Sequence, residues 1–168
     1  MNKPIILFDL NGTLCCRLDK NRKICVRPYI NMLNNLKKYY TLGIFSSMTY
    51  KNAKKCVAEI EMKCKTKIFD DNLIFDRDFT KPFTEEEYKQ FNIPKHKTKK
   101  SIYDVLGFTN NVTIIDDELY KIVEKNKAII IPSYEKEDIN DDQLYYLVEH
   151  LIYLVRIKMT LNMSKLSI

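Results

Sequence analysis

Five polar side chains follow apolar segments at places where an α/β protein builds its active site. Asp9 and Ser46 end the first and second apolar runs, Asp116 and Asp117 end the third, and Lys100 lies 16 residues before Asp116. Because the carboxyl ends of parallel strands share one edge of a sheet, we expect these groups to lie together. Taken singly, each could be a helix cap or a solvated surface group. Together they offer a carboxylate nucleophile, a hydroxyl and an ammonium group for phosphate, and an acidic pair for a divalent cation.

Short apolar runs alternate with longer amphipathic stretches, which is typical of a strand–helix–strand protein. Continuous apolar runs predict buried strands at residues 4–10, 41–45, 112–115 and 128–131. Helical spacing predicts helices at residues 28–39, 51–62, 101–106, 118–125 and 141–158. Weaker patterns predict short strands at 23–26, 67–69 and 73–75, and a capping box predicts a helix that begins after Thr84.

These elements predict an α/β fold, with a central parallel sheet covered by helices on both faces. The whole chain, residues 1–168, is expected to form one domain, since this length fits a single unit. It would include an irregular insert at about 64–99 and a C-terminal helix at about 141–158. The space between Asp9 and Ser46 is too short for a large cap domain, so the site should be open to macromolecular substrates.

The composition narrows the class of protein and its partners. The chain has 28 basic and 22 acidic residues and a net charge of +6. This excess favours anionic partners, or it reflects an ordinary solvated, lysine-rich surface. No apolar run approaches the roughly 18 residues of a membrane span, and the N-terminus does not resemble a secretory signal. Five cysteines, including the adjacent Cys15 and Cys16, are expected to be reduced, and this pair to be buried. We therefore expect an intracellular protein, cytoplasmic or nuclear, that is not secreted and has no membrane partner.

The candidate site residues also lie in segments that resemble the motifs of a known family. Asp9-Leu-Asn-Gly-Thr-Leu14 resembles the first motif of the haloacid dehalogenase superfamily, Asp-x-Asp-x-Thr/Val. One branch is matched more closely, the phosphatases of the RNA polymerase II C-terminal domain and their NLI-interacting-factor-like relatives. Its motifs resemble Arg27-Pro28, Gly43-Ile-Phe-Ser-Ser47, Lys100-Ser-Ile102 and Thr113-Ile-Ile-Asp-Asp-Glu118. The resemblance covers residues 1–155 and implies a three-layer, Rossmann-like haloacid dehalogenase fold.

The resemblance implies a role for each residue of the motifs. Asp9 would attack phosphorus and form a phospho-aspartate. Mg²⁺ would be held by the Asp9 carboxylate, the Asn11 backbone carbonyl and Asp116, with Asp117 close by. The substrate phosphoryl group would be bound by Ser46 and Lys100, with the neighbouring hydroxyls of Ser47 and Thr13 as further candidates. Thr13 is expected to order its loop more than to touch substrate.

One residue departs from the pattern of the hydrolytic members. Position 11 is Asn, where they carry an Asp that protonates the leaving group and then deprotonates the attacking water. An amide does neither, so slow turnover is expected. Three readings follow: a Mg²⁺-dependent phosphoserine phosphatase, a catalytically impaired module that binds phosphorylated proteins, and, less favoured, a nucleic-acid 3′-phosphatase. The intact Asp9, Ser46, Lys100 and Asp116 favour the first.

Overall fold

The computed structural model describes residues 3–16, 24–107 and 111–165. Its strands are β1 (Ile5–Phe8), β2 (Cys15–Cys16), β3 (Cys25–Val26), β4 (Thr41–Phe45), β5 (Ile74–Phe75), β6 (Lys81–Pro82), β7 (Thr98–Lys99), β8 (Val112–Asp116) and β9 (Ala128–Ile130). Its α-helices are α1 (Leu33–Leu36), α2 (Tyr50–Cys64), α3 (Glu85–Gln90), α4 (Ile102–Leu106) and α5 (Gln143–Lys165).

Five strands form the central sheet, in the order β5-β4-β1-β8-β9, and every neighbouring pair is parallel. The register aligns Ile5 of β1 with Thr41 of β4 on one side and with Val112 of β8 on the other. Strand β1 therefore lies at the centre, and the carboxyl ends of β1, β4 and β8 are neighbours. The predicted parallel sheet is confirmed, and it brings the segments that follow these three strands to one edge.

Alternate side chains of the sheet enter two separate apolar clusters. Ile6, Phe8 and Ile44 pack in the larger cluster with buried residues of α1, α2 and α5. Leu7 and Phe45 point to the other face, where α4 and the segment after β8 cover them. Burial on both faces explains why these strands are continuous apolar runs rather than alternating ones.

The region predicted to be an irregular insert is short and lies beside the carboxyl edge. Strands β6 and β7 form a small antiparallel ribbon, and α3 lies between them in the chain. Helix α3 begins after Thr84 with the predicted capping box, in which Thr84 and Glu87 bond each other's backbone N–H groups. Within the described residues, the connections between sheet strands contain no large cap domain, as predicted.

Two predicted elements are wrong, and in both the backbone bonds to a different partner. No strand forms at residues 67–69, because the N–H groups of Ile68 and Phe69 donate to the Glu61 carboxylate, at 2.9 and 3.1 Å. The helix predicted at 118–125 is replaced by two 3₁₀ turns, Leu119–Lys121 and Lys125–Lys127. Here the backbone between the turns pairs with Lys100, which accepts from Val123 N at 3.0 Å and donates to Lys121 O at 2.7 Å.

Several predicted boundaries shift. The segment predicted as one helix at 28–39 is a 3₁₀ turn at Ile30–Met32 followed by α1, and Tyr29 before it has a left-handed φ of 59°. Helix α5 begins after the predicted start and continues beyond 158, while β5 and β9 are shorter than predicted. The start of the strand predicted at 23–26 falls on Lys23, which lies outside the described residues. Cys15 and Cys16 are buried, as expected. No helix in the described part of the chain is long and apolar enough to cross a bilayer.

Candidate active site

A buried ammonium group joins the two carboxylates at the centre of the sheet edge. Lys100 Nζ lies 2.8 Å from Asp9 Oδ1 and 2.6 Å from Asp116 Oδ2. All three side chains are buried, and that of Lys100 is fully removed from solvent. The pairing of β1 with β8 continues to Asp9, whose N–H donates to Ile115 O at 2.8 Å. The register of the sheet therefore places the two aspartates side by side.

Lys100 is positioned by backbone pairing and by the cap of α4. Residues 98–99 form β7, and Lys100 then pairs with the backbone of residues 121–123. The next residue, Ser101, is the N-cap of α4. The buried Glu124 accepts from Ser101 Oγ and from Ile102 N, both at 2.8 Å. A carboxylate at a helix N-terminus is favourable, so these contacts hold the chain on either side of the lysine.

Burial raises the pKa of Asp9 above its ordinary value, although the nearby Lys100 charge opposes this shift. The Asp116 charge adds to the rise, because two like charges close together disfavour ionisation. A cation at this position would favour the ionised, nucleophilic form of Asp9.

Asp9, Asp116 and Asp117 form a cluster that fits a hard divalent cation. Each offers one carboxylate oxygen, and these oxygens lie within 4.8 Å of one another. Asp117 Oδ2 accepts from Ser133 Oγ at 2.7 Å, whereas the buried Asp117 Oδ1 has no hydrogen-bond partner among the described residues. The buried side-chain oxygen of Asn11 is likewise unpartnered in the described part of the chain. Oxygen donors without partners are what Mg²⁺ requires.

The loop after Asp9 approaches this acidic cluster closely. Gly12 has a φ of +87°, and a Cβ atom there would lie 2.8 Å from Asp117 Cγ and nearer still to Oδ2. Gly12 N–H donates to Cys15 O at 2.8 Å, and its carbonyl accepts from Tyr134 N at 2.7 Å. The position thus needs glycine both for its backbone conformation and for space beside Asp117.

A cleft of about 390 Å³ opens above Asp9, and Asn11, Ser46 and Ser47 line it. Ser46 follows β4, and its Oγ accepts from Met48 N at 3.3 Å, which leaves the hydroxyl proton available to donate. The Ser47 hydroxyl is 3.2 Å from Thr98 Oγ1. Thr13 is placed elsewhere: it is fully buried, does not line the cleft, and its carbonyl accepts from Arg27 at 3.0 Å.

Four basic residues of the cleft were missed from the sequence, namely Arg77, His96, Lys97 and Lys121. Lys121 is the most informative of them because its side chain is only 6% exposed. Although burial lowers the pKa of Lys121, the charges of Asp9 and Asp116 and a hydrogen bond to Glu118 raise it overall. Its position five residues after Asp116 could have indicated a residue of the site. The helix predicted for this segment, however, gave no reason to expect the Lys121 side chain near Asp9.

Comparison with protein families identifies the chain. The family described as NLI interacting factor-like phosphatase matches residues 4–161. The chain belongs to this family. The resemblance in the first motif and in the later segments is thereby confirmed for almost the whole length of this family member. A comparison with curated protein sequences finds no match.

Two solved structures of one phosphatase share the fold of this family member. A variant of the fission yeast RNA polymerase II CTD phosphatase Fcp1, bound to beryllium fluoride, has a TM-score of 0.57 and 16% sequence identity, over 93% of this chain and 51% of that one. Another structure of Fcp1, an essential RNA polymerase II CTD phosphatase, has a TM-score of 0.57 and 17% identity, over 90% and 49%. This chain spans about half the length of those chains. At such identities the likeness shows the haloacid dehalogenase-like fold, as predicted, and the roles of single residues rest on the geometry above.

Proposed function

We propose that this protein is a Mg²⁺-dependent phosphoprotein phosphatase that uses Asp9 as its nucleophile and acts on phosphoserine. One observation carries the proposal: the buried Lys100 ammonium group bridges Asp9 and Asp116, and of these three residues Asp9 lines an open cleft. A carboxylate beside a fixed cation can approach a phosphoryl dianion that would otherwise repel it. Membership of a family described as phosphatases supports the same reaction.

The reaction would have two steps on Asp9. Its carboxylate oxygen bonds to phosphorus, the bond from phosphorus to the serine oxygen breaks, and that oxygen takes a proton from solvent water, since Asn11 cannot donate one. Water then attacks the phospho-aspartate, loses a proton, and releases phosphate from Asp9. Lys100 would offset charge on the transferring phosphoryl group, and Ser46 would donate its hydroxyl proton to a phosphoryl oxygen. Ser47 lines the same cleft and is a second candidate contact, whereas the buried Thr13 would order the loop.

Asp9, Asp116 and Asp117 would hold the cation together with the Asn11 backbone carbonyl. The oxygen-only donors and the unpartnered Asp117 Oδ1 support this choice of ligands. When bound, Mg²⁺ supplies positive charge that stabilises the phosphoryl group during transfer. Ionisation of Asp9, opposed by its burial, is favoured by the same charge.

Asn11 supports a second candidate function, a module that binds phosphorylated proteins with little turnover. Its side chain lines the cleft, where it can position water or a phosphoryl oxygen but cannot exchange protons as a carboxylate does. The retained Asp9, Lys100 and Asp116 favour an enzyme over such a module, because binding alone does not need a nucleophile.

The form of the cleft supports a macromolecular substrate. It is open, and the basic Arg77, His96 and Lys97 extend it beyond Asp9, which suits an anionic, phosphorylated segment of protein. A phosphorylated protein, cytoplasmic or nuclear, is therefore the proposed partner, by analogy with the structural relatives named for the polymerase tail. A nucleic acid is the less favoured partner, since the net charge of +6 is modest.

A direct assay tests the proposal. Phosphate release from a phosphoserine peptide and from an aryl phosphate is measured with millimolar Mg²⁺ and with a chelator. We expect Mg²⁺-dependent release that the Asp9→Asn variant lacks. Binding of the phosphopeptide without any release would favour the module, and release that persists in Asp9→Asn would overturn the assignment of the nucleophile.

A further inference from the structure

A second buried lysine, Lys121, faces the same cleft as the nucleophile. It ends the 3₁₀ turn Leu119–Lys121, directly after the acidic motif, and its side chain is 6% exposed. Its carbonyl accepts from Lys100 N at 2.7 Å, so the two lysines are joined through their backbones. Lysine is rarely buried unless its charge is paired, and the side chain of Lys121 forms part of the wall of the cleft.

The charges around Lys100 and Lys121 are balanced differently. Lys100 lies between two carboxylates, those of Asp9 and Asp116, which compensate its charge. Lys121 contacts Glu118, but that carboxylate also accepts from Lys97 Nζ at 3.1 and 3.0 Å. Glu118 thus faces two ammonium groups with one negative charge. Three ammonium groups, those of Lys97, Lys100 and Lys121, therefore face four carboxylates, and a divalent cation held by the three aspartates would leave this group with a net positive charge that an anion can use.

Both lysines that share Glu118 line the cleft, and Lys121 is the more deeply buried, with a side chain 6% exposed against 18% for Lys97. The Lys121 charge is among the influences that lower the pKa of Asp9 against the effect of burial. An ammonium group has three donors, and within the described residues the Lys121 ammonium has a single bonded partner, Glu118. Donors remain for oxygens of a phosphoryl group placed on Asp9.

We propose that Lys121 is a second phosphoryl-binding cation of this site, which donates to the phosphoryl oxygens while Glu118 holds its side chain in the cleft. This inference rests on the proposed function, since it assumes that a phosphoryl group binds above Asp9. It assigns different roles to the two lysines. Lys100 holds Asp9 and Asp116 together and offsets charge beside the nucleophile, and Lys121 donates to the substrate from the wall of the cleft.

Binding of inorganic phosphate to the Mg²⁺-loaded protein tests this role without requiring turnover. Dissociation constants are measured by titration calorimetry for the wild type and four variants. We expect Lys121→Met to weaken phosphate binding about tenfold or more, because a charge-assisted hydrogen bond is lost. Lys121→Arg keeps a donor and a charge, and should stay within about threefold of the wild type.

Two controls separate direct contact from indirect effects. Glu118→Gln removes the carboxylate that holds Lys121 but keeps the ammonium group, so binding should weaken less than in Lys121→Met. Lys125→Met removes the same charge outside the cleft, where solvent screens it, and should leave the affinity within about threefold. Unchanged affinity in Lys121→Met, or an equal loss in Glu118→Gln, would overturn the inference.

A measurement on the wild type covers the case in which Lys121→Met does not fold. The ¹⁵N resonance of the Lys121 side chain, assigned with Lys121→Arg, should shift when phosphate is added. An unmoved resonance under saturating phosphate would overturn direct contact. A protein that binds phosphate through Lys121 but hydrolyses no phosphate ester would contradict the proposed function and still support this inference. Failure of the proposed function can therefore be distinguished from failure of the inference.

Discussion

At the scale of single residues, Asn11 is the group expected to limit the proposed turnover. Every other group expected for phosphoryl transfer is near the cleft, but Asn11 cannot protonate a leaving group. We expect Asn11→Asp to raise turnover by up to about 10²–10⁴-fold on phosphoserine peptides, whose poor leaving group needs an acid. The aryl phosphate should gain less if transfer to Asp9 limits its rate. Steady-state kinetics on both substrates measures the difference.

Deamidation must be controlled in this experiment, since Asn11-Gly12 is a favourable dipeptide for it. Intact-mass and peptide analysis of the assayed protein shows whether aspartate has formed at position 11. If both substrates gain equally, hydrolysis of the phospho-aspartate is limiting, and the intermediate should accumulate on the wild type. Deamidation-free wild type that hydrolyses phosphoserine as fast as Asn11→Asp would contradict the idea that Asn11 restrains catalysis.

Gly12 offers a second test at the scale of one residue. The positive φ of Gly12 costs an L-residue about 1–2 kcal/mol, and an added Cβ would collide with the Asp117 carboxylate. We expect Gly12→Ala to lower the free energy of unfolding and also to weaken Mg²⁺ binding, because Asp117 must move. Urea unfolding and calorimetric Mg²⁺ titration measure the two effects.

Gly107 provides the matched control for this variant. It also has a positive φ, +69°, but an added Cβ would have no atom of the described residues within 4 Å. Its ψ of −172° is a conformation that is almost confined to glycine, so Gly107→Ala should carry a backbone cost alone, of about 1–3 kcal/mol, and leave Mg²⁺ affinity unchanged. Equal effects of the two variants on Mg²⁺ binding would show that Gly12 is needed only for its backbone.

At the scale of elements, Arg27 connects the site loop to the C-terminal helix. Its side chain is 1% exposed, and it forms two hydrogen bonds of 2.7 Å to Asp141, just before α5. The remaining donors bond to the carbonyls of Thr13 and Pro132, both at 3.0 Å. One planar guanidinium group thus joins three segments that are far apart in the sequence.

We expect Arg27→Met to reduce the free energy of unfolding by about 3 kcal/mol, because it leaves a largely buried carboxylate and two carbonyls without donors. Arg27→Lys should recover only part of this, since lysine cannot form the paired bonds to Asp141. Denaturant unfolding followed by circular dichroism measures both. Lys81→Met is the control: it breaks an exposed ion pair with Asp104 and should change little. An effect of Arg27→Met no larger than that of Lys81→Met would refute this role.

At the scale of the whole molecule, the proposed metal site predicts that stability depends on Mg²⁺. A cation that binds only the folded state stabilises it by mass action, by about 2.7 kcal/mol at a concentration of 100 Kd. We expect millimolar Mg²⁺ to raise the melting temperature relative to a chelator, and Asp116→Asn to reduce that rise. Asp104→Asn, which removes an exposed carboxylate from α4, should retain it. Identical melting with Mg²⁺ and with chelator would mean that the cluster does not bind the metal under those conditions.

Most residues of the candidate site could be predicted from the sequence because they lie at the ends of strands. Asp9, Ser46 and Asp116 follow continuous apolar runs, and a run buried on both faces is recognisable as a central parallel strand without any tertiary information. Parallel strands present their carboxyl ends on one edge, so the grouping of these residues was predictable. Lys100 was harder to place, because no strand of the central sheet ends there, and attention was directed to it by its spacing before Asp116 and by the motif resemblance.

The amino-acid sequence alone determined the α/β class, the central strands and the family, because these depend on local periodicity and on short motifs. Only the tertiary structure determined the conformation of the segments in which long-range hydrogen bonds replace the local ones of a predicted helix or strand. Glu61 accepts from the backbone N–H groups of residues 68 and 69, and the backbone of Lys100 donates to Lys121 O and accepts from Val123 N in the segment predicted as a helix at 118–125. That second exchange is what directs Lys121 into the cleft. Its burial beside Asp9 depends on partners more than 20 residues apart in the chain, which no local pattern encodes.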